Sequence, residues 1–382
     1  MATLYNRHRS PPPAESACLR GLTVVVVANT TIACAVIDSL PIELPYFLIG
    51  PRRIAFLQRS KRCRQYFRKD LSLEEDNKTD FVRAIERLGS ANPNIFLIPV
   101  DDTAIRMVHS TLDRLGASTY PMPDSSSFEM LNDKWRFHQY CSELGIRVPK
   151  AIRLNNKTEI NFDYVSMTVG LPFVIKPTNE GHSAGVRVIC SKEKLYKEIL
   201  SNWKYNFSPL IAQSFIPGVD IDISVFADGG HIKHLAVQIR KEDMLCFVRN
   251  KELAKFAEVI ARDLCYTGLI HIDARLHGTL GEIFLVEANP RFWASLDEAT
   301  LCGLNFVRAG IYTFMGLESP DPPTICDVSS SSMNRTFAEI ATCRQSYMRL
   351  PLQQRIRLKR VLGNSARSLL HLPWYWLDLW VN

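Results

Sequence analysis

HIDARLHGTLGEIFLVEANPR, residues 271 to 291, decides how this chain is read. Its first arm alternates, with Ile270, Ile272 and Ala274 on one face and His271, Asp273 and Arg275 on the other, which is the period of a half-buried strand. HGTLGE supplies turn chemistry, so the stretch predicts a β-hairpin. On the second arm the same period puts Ile283, Leu285, Glu287 and Asn289 on one face, closing an apolar strand with a carboxylate and a carboxamide. A hairpin turning at Thr279 and Leu280 is expected to bring Asp273 opposite Glu287. Two carboxylates and one carboxamide oxygen in a small volume form hard-oxygen coordination, suited to Mg²⁺ bridged to substrate phosphates. A plain hairpin with polar strand ends accounts for the same residues, so the decision rests on what lies upstream.

PFVIKPTNEGHSAGVRVI, residues 172 to 189, is an apolar strand ending in Lys176, a loop with Gly181, Ser183 and Gly185, and a second strand. A loop of small residues between two strands can lay its N–H groups over a phosphate chain, with the strand lysine neutralising charge beneath. LIAQSFIPGVDIDISVFADG then reads as strand, short linker and strand, with Gln213 before the linker and Asp220 after it. An adenine edge needs one donor and one acceptor, and a ribose needs a carboxylate, so this spacing suits a nucleoside.

In this order the three segments resemble the ATP-grasp superfamily, and within it the carboxylate–amine ligases of the carbamoyl-phosphate-synthase and D-alanine-ligase type, over roughly residues 20 to 320. The resemblance implies that Lys134, in LNDKWRFHQYCSELGIRVPK, and Lys176 contact the phosphates of ATP, under the loop of Gly181 and Ser183. It assigns Gln213, Ser214, Phe215 and Ile216 to the adenine linker, Asp220 to the ribose, and Asp273, Glu287 and Asn289 to Mg²⁺, with Mn²⁺ as a substitute. Arg291 matches the arginine of the family's E-x-N-P-R close. Where several ligases have an arginine two residues before the first metal acid, this chain has His271, which shares the catalytic assignment with Arg275 and Arg291. The region from Gln238 to Arg249 is short and lacks the glycine-rich loop of many relatives, so Arg240 and Lys241 have no assigned role.

The implied fold is mixed α/β and α+β, a Rossmann-like domain followed by a two-lobed ATP-grasp fold. Its expected divisions are a disordered tail over 1–18, the Rossmann-like domain over 19–122, and the ATP-grasp domain over 123–320. Within the last, a nucleotide-clamping lobe takes about 150–215 and a metal-binding lobe about 216–320, leaving 321–382 as linker and extension.

A chain of 382 residues, 46% hydrophobic and 22% charged, is long enough for two or three domains with their own cores. The charge of +7 is a modest excess that anionic ligands and local basic patches explain, and nucleic acid is not expected as a partner. The ten cysteines form no C-x-x-C pair, so Cys18, Cys63, Cys141, Cys265 and the others are expected as reduced core thiols of a cytoplasmic protein. LTVVVVANTTIACAVI is too short before Asn29 for a membrane span and reads as a buried first strand. Neither G-x-G-x-x-G after that strand nor a P-loop is present, which removes the main support for a dehydrogenase or a P-loop NTPase.

From Leu22 the pattern predicts strand 22–28, helix 31–40, strand 45–49, and a basic run SKRCRQYFRKD read as a solvated surface. A helix over 78–88 precedes the strand NIFLIPVDD, whose Asp101 and Asp102 either face substrate or cap the helix 103–115, with capping preferred. Single helices are expected over 129–145, ended by Gly145, and over 251–265. Asn305 and Arg308 read as caps or surface, and SPDPPTICDVSSSS as a linker. The final segment, with Trp374, Tyr375, Trp376 and Trp380 after an arginine-rich run, fits either a helix packed on the body or peripheral contact with an anionic membrane.

The function expected is an ATP-dependent ligase that joins a small-molecule acid to an amine through an acyl phosphate, and a homodimer is compatible with it. Two alternatives stand beside it: a small-molecule kinase on the same fold, and a nucleotide-binding regulatory module without turnover.

Overall fold

The computed structural model describes residue 19 and residues 21–41, 43–181, 183–241 and 244–331. The expectations for the tail over 1–18 and for the arginine- and tryptophan-rich C-terminal segment lie outside these residues.

The first sheet is wholly parallel: β1 (Thr23–Val27), β2 (Tyr46–Gly50), β3 (Cys63–Arg68), β4 (Ile95–Pro99) and β5 (Ser118–Thr119), in the order β3-β2-β1-β4-β5. Its central strand is a run of valines because both faces are covered. Val24 and Val26 join one core cluster, and Val25 and Val27 join another on the opposite side. The strand order reverses between β1 and β4, with β2 and β3 added on one side and β4 and β5 on the other, so the loops after β1 and β4 border a crevice at their carboxyl ends.

A four-stranded antiparallel sheet follows, β6 (Ala151–Leu154), β7 (Phe173–Pro177), β8 (Arg187–Ile189) and β9 (Leu210–Ser214), in the order β6-β9-β7-β8. The third sheet holds β10 (Gly218–Asp228), β11 (His231–Lys241), β12 (Met244–Val248), β13 (Gly268–His277), β14 (Ile283–Asn289), β15 (Thr324–Ile325) and β16 (Val328–Ser331). Its main path runs β14-β13-β10-β11-β12-β16, with β15 beside β11. One face packs on the helices Lys134–Glu143 and Lys251–Asp263 through Ile221, Ile223, Ile270, Ile272 and Leu285. The other face packs through Phe226, Ala236, Phe247 and Leu269 on the core shared with the first sheet and carries the site on the remainder.

Five expectations are corrected. The helix expected over 129–145 is two, Ser125–Asn132 and Lys134–Glu143, because the Asp133 carboxylate accepts from Trp135 N and Arg136 N at 2.9 Å and restarts the helix. The basic run holds an edge strand, and its Lys61, Arg64 and Arg68 are exposed as expected, but Arg62 is half-buried, and its guanidinium donates to the carbonyls of Ile37, Leu40, Pro41 and Leu44. Residues 324–331 are not a linker but add β15 and β16 to the third sheet. Among the described cysteines all are free thiols, yet Cys190 and Cys265 are exposed, the latter at φ 45° just beyond a helix end.

The fifth correction bears on function. Asp273 faces Glu287 because of a bulge: the next pair is Ala274 with Leu285, so Val286 is an extra residue, and strict symmetry about Thr279 and Leu280 would have paired Asp273 with Val286 instead. Ile283 and Leu285 point to the core, while beyond the bulge it is Ala288 that does so. Without this step Glu287 and Asn289 would share the core-facing side of Leu285.

Candidate active site

Register gathers the site. Glu287 faces Asp273 across β14 and β13, Asp273 faces Asp222 across β13 and β10, and Asp222 faces Gln238 across β10 and β11. Three carboxylates therefore stand side by side on the face opposite the core, with a carboxamide beyond them. The neighbouring row is Asn289, His271 and Ser224, and Arg275 faces Asp220 on the other side.

Lys176 ends β7, only 3% exposed, and its Nζ lies 3.1 Å from Glu287 Oε2. Lys134, 7% exposed, is the first residue of the restarted helix; its N–H donates to Thr178 O at 2.8 Å and its Nζ to Glu180 O at 2.6 Å, with Glu287 Oε2 3.7 Å away. The capping by Asp133 is thus what sets this lysine against the loop after β7. Burial pushes the Glu287 carboxyl up, but Lys176 and then Lys134 outweigh it and hold it at about 2. Burial lowers the Lys176 ammonium, Glu287 opposes this, and Lys134 adds to it. At the far end of the row, which no lysine reaches, burial pushes Asp222 up to about 6 against the pull of His271.

His271 is buried with both ring nitrogens engaged, Nδ1 with Ser224 Oγ at 2.8 Å and Nε2 with Asp273 Oδ1 at 3.2 Å, and it stacks on Trp293 at 5.2 Å. Burial alone would lower this imidazole, but Asp273, helped by Asp222, raises it. It therefore bridges Ser224 and Asp273, close to Asp222, and does not border the cavity.

The cavity over this face encloses about 500 Å³ and is bordered by Lys134, Lys176, Ser183, Asp222, Asp273 and Glu287 at one end. Gln213, Ser214, Phe215, Ile216 and Asp220 border it at the other. Gln213 is 2% exposed and its Nε2 has no partner among the described residues, an unmet donor that fits the acceptor of an adenine edge. Asp273 and Glu287 offer oxygens of the kind a Mg²⁺ ion requires, and Asp222 and His271 bring ligand atoms within 4.8 Å of those of Asp273, whereas Asn289 Oδ1 accepts from Arg291 and its Nδ2 donates to Asp273 Oδ2.

His271 lies beside the acids, and the two arginines expected to share catalysis with it each have partners of their own. Arg275 braces the linker: Nε donates to Ile216 O at 3.0 Å, NH1 to Asp220 Oδ1 at 2.6 Å and NH2 to Gly218 O at 2.8 Å. Asp220, expected at the ribose, is its ion partner here. Arg291 is 8% exposed and is held by Asp102, by Phe292 O at 2.9 Å and by Asn289 Oδ1 at 2.9 Å. A Cβ added at Gly181 would lie 3.4 Å from NH2 of that guanidinium. By contrast Arg240, on the same side of β11 as Gln238, borders the cavity, is exposed, and has no ion pair among the described residues.

Sequence reading missed Asp222, Gln238 and Arg240. The alternation of Asp220, Asp222 and Ser224 with Ile221, Ile223 and Val225 was the available signal for Asp222. The capping reading holds for Asp101, whose carboxylate accepts from Ala104 N at 3.1 Å and from Asn29 N at 2.6 Å and Thr30 N at 2.8 Å. Asn305 and Arg308 are likewise cap and ion-pair residues, with Asp321 the partner of the arginine. Among the described residues no helix is long and apolar enough to cross a membrane.

Comparison with known proteins agrees with this geometry. Residues 206–335 match a family model described as ATP-grasp in the biosynthetic pathway with Ter operon, and residues 141–256 one described as D-ala D-ala ligase C-terminus. A D-alanine–D-alanine ligase from Neisseria meningitidis serogroup B is 28% identical over 174 residues, covering 41% of this chain and 56% of the relative, so the match spans about half of that protein. Among solved structures, an ADP complex of the N5-carboxyaminoimidazole ribonucleotide synthetase purK superposes with a TM-score of 0.63 at 13% identity, over 85% of each chain. An L-amino acid ligase from Bacillus licheniformis gives 0.58 at 13% identity, over 76% of this chain and 73% of that one. The matching family models, the relatives and the shared fold support a place in the ATP-grasp superfamily, and the chain is similar to its carboxylate–amine ligases.

Proposed function

We propose that the protein is an ATP-dependent ligase that joins a carboxylate to an amine through an acyl phosphate. The observation that carries the reading is the row of Glu287, Asp273 and Asp222 facing a cavity that also holds two buried lysines at one end and the unmet donor of Gln213 at the other. The matched relatives, a D-alanine–D-alanine ligase and an L-amino acid ligase by name, support it.

A carboxylate oxygen is a poor leaving group. In the proposed reaction one oxygen of the acid attacks the γ-phosphorus of ATP, the bond from that phosphorus to the bridging oxygen breaks, and ADP departs. The amine nitrogen then attacks the acyl carbon, gives up a proton, and inorganic phosphate leaves. Asp273 and Glu287 would hold Mg²⁺, which when bound offsets charge on the β- and γ-oxygens. Lys134 and Lys176 bring two buried positive charges to the same end of the cavity, and Gln213 to Ile216 orient the base.

The cation that meets the acid is assigned to Arg240. Arg275 is committed to the linker and Arg291 to Asp102 and Asn289, whereas Arg240 borders the cavity unpaired among the described residues. A guanidinium fork suits a carboxylate. Arg240→Ala is therefore expected to raise the acid's KM by one to two decades, the worth of a charge-assisted contact of roughly 1.5–3 kcal/mol, while ADP binding changes little. Equal losses in acid KM and ADP affinity would return Arg240 to the nucleotide.

Lys176→Ala is expected to weaken ATP binding by about one to two decades. Calorimetry with unchanged nucleotide affinity would count against the phosphate end of the site. The functional reading itself is tested by an ADP-release screen of carboxylates, amino acids and short peptides, run pairwise with Mg²⁺. ADP release that needs both an acid and an amine supports a ligase, and release with a hydroxyl compound alone supports a kinase.

A further inference from the structure

We infer that Asp102, which belongs to the first, parallel sheet's side of the molecule, is a positioning residue for the metal-facing end of β14. The contacts form one chain. Asp102 Oδ1 accepts from Arg291 Nε, Arg291 NH2 donates to Asn289 Oδ1 at 2.9 Å, and Asn289 Nδ2 donates to Asp273 Oδ2 at 2.9 Å. Sequence separates the first link by 189 residues, so the connection exists only in the fold.

Each link has a physical reason. A guanidinium that is 8% exposed requires an anionic partner, and among the described residues Asp102 is the acid in ion-pair contact with Arg291. A carboxamide has an acceptor end and a donor end. Arg291 fixes the acceptor end of Asn289, and the donor end is thereby aimed at Asp273 Oδ2, so the amide holds that carboxylate in place. With Asp102 gone, the buried guanidinium loses its counter-charge and turns toward the remaining carboxylates, where it competes with a divalent cation for Asp273. Asp102 is itself held in place, since it opens the helix Asp102–Thr111 directly after the cap Asp101, and Asp101 is bonded to Asn29 and Thr30 in the loop after β1. The loop after β1 and the metal-facing strand are thus joined through four side chains.

This inference rests on the metal assignment made above but not on the identity of the reaction. The test uses the full chain with ADP and Mn²⁺, titrated by electron paramagnetic resonance, alongside metal-free ADP affinity and thermal unfolding. Asp102→Ala is expected to weaken Mn²⁺ binding by about 10–100-fold, the usual effect of losing an outer support of a metal ligand, while metal-free ADP affinity stays unchanged. Asp102→Asn, which keeps the shape and one acceptor, should fall between the two, and Asp102→Glu should recover most of the loss. The inference is overturned by a folded Asp102→Ala or Asp102→Asn protein with wild-type Mn²⁺ affinity. It is equally overturned when metal-free ADP affinity and unfolding temperature fall in step with Mn²⁺ affinity, since Asp102 would then be a general brace. A wild-type chain that binds ADP but no Mn²⁺ would remove the metal assignment and this inference together. Because no acid or amine is needed, failure of the ligase reading would appear only in turnover and leave this readout intact.

Discussion

Glu287→Gln is expected to abolish ATP turnover while the chain stays folded. Glutamine keeps the shape of the side chain and removes the charge on which Lys176 and Lys134 converge. Two buried ammonium groups then face one another without a counter-ion, and the divalent cation loses one of its two opposed carboxylates. A loss on the order of 10²-fold or more in kcat/KM follows from the metal ligand alone. The fold is not at risk to the same degree, because Glu287 lies on the cavity side of the bulge and Ala288 and Leu285 carry the core contacts. Steady-state ADP release, with circular dichroism to check folding, measures both parts. Near-normal turnover at ordinary Mg²⁺ concentration would remove Glu287 from the metal site.

Gly218→Ala is expected to be the most damaging small substitution in the nucleotide end. Gly218 opens β10 at φ +145°, and an added Cβ would lie 1.9 Å from the carbonyl oxygen of Leu276 and 2.7 Å from Gly278 N. Both are backbone atoms of the hairpin, so the strand itself has to move. That movement pulls the linker away from Arg275, whose NH2 donates to Gly218 O at 2.8 Å and whose NH1 holds Asp220. Overpacking and the unfavourable backbone angle together cost about 3 kcal/mol or more. Gly281→Ala, at φ +68° with nothing within 4 Å, supplies the comparison and should cost only the angle, about 1–2 kcal/mol. Thermal unfolding and ADP affinity of the two variants test this: similar losses in both would contradict the close approach at Gly218.

The hairpin, the strand ending in Lys176 and the linker before Asp220 were legible because each is a local pattern, with period two in the strands and small or turn-forming residues between them. That Asp273 and Glu287 lie at about the same level of the hairpin was legible for the same reason, though strict symmetry about Thr279 and Leu280 pairs Asp273 with Val286. The bulge at Val286 was not, since no glycine marks it and the extra residue shows only when two strands are set in register. Asp222 carried a visible signal in the alternation of β10, but its meaning depends on Asp273 lying across from it. The break before Lys134 was obscured because apolar spacing runs on through Asn132 and Asp133, and only the cap hydrogen bonds reveal it. The commitments of Arg275 and Arg291 were not legible at all. An arginine's role depends on which acids reach it, and Asp102 reaches Arg291 from another sheet.

The most direct test of the acyl-phosphate account is trapping with hydroxylamine. The protein is incubated with ATP, Mg²⁺, hydroxylamine and a panel of amino acids, other small acids and dipeptides, without any amine partner. An acyl phosphate is attacked at its carbonyl carbon, so at least one acid is predicted to yield a hydroxamate in step with ADP, and Glu287→Gln is predicted to yield none. ADP formed with a confirmed substrate, no hydroxamate, and a product carrying a stable phosphate ester would contradict the account and make the protein a kinase.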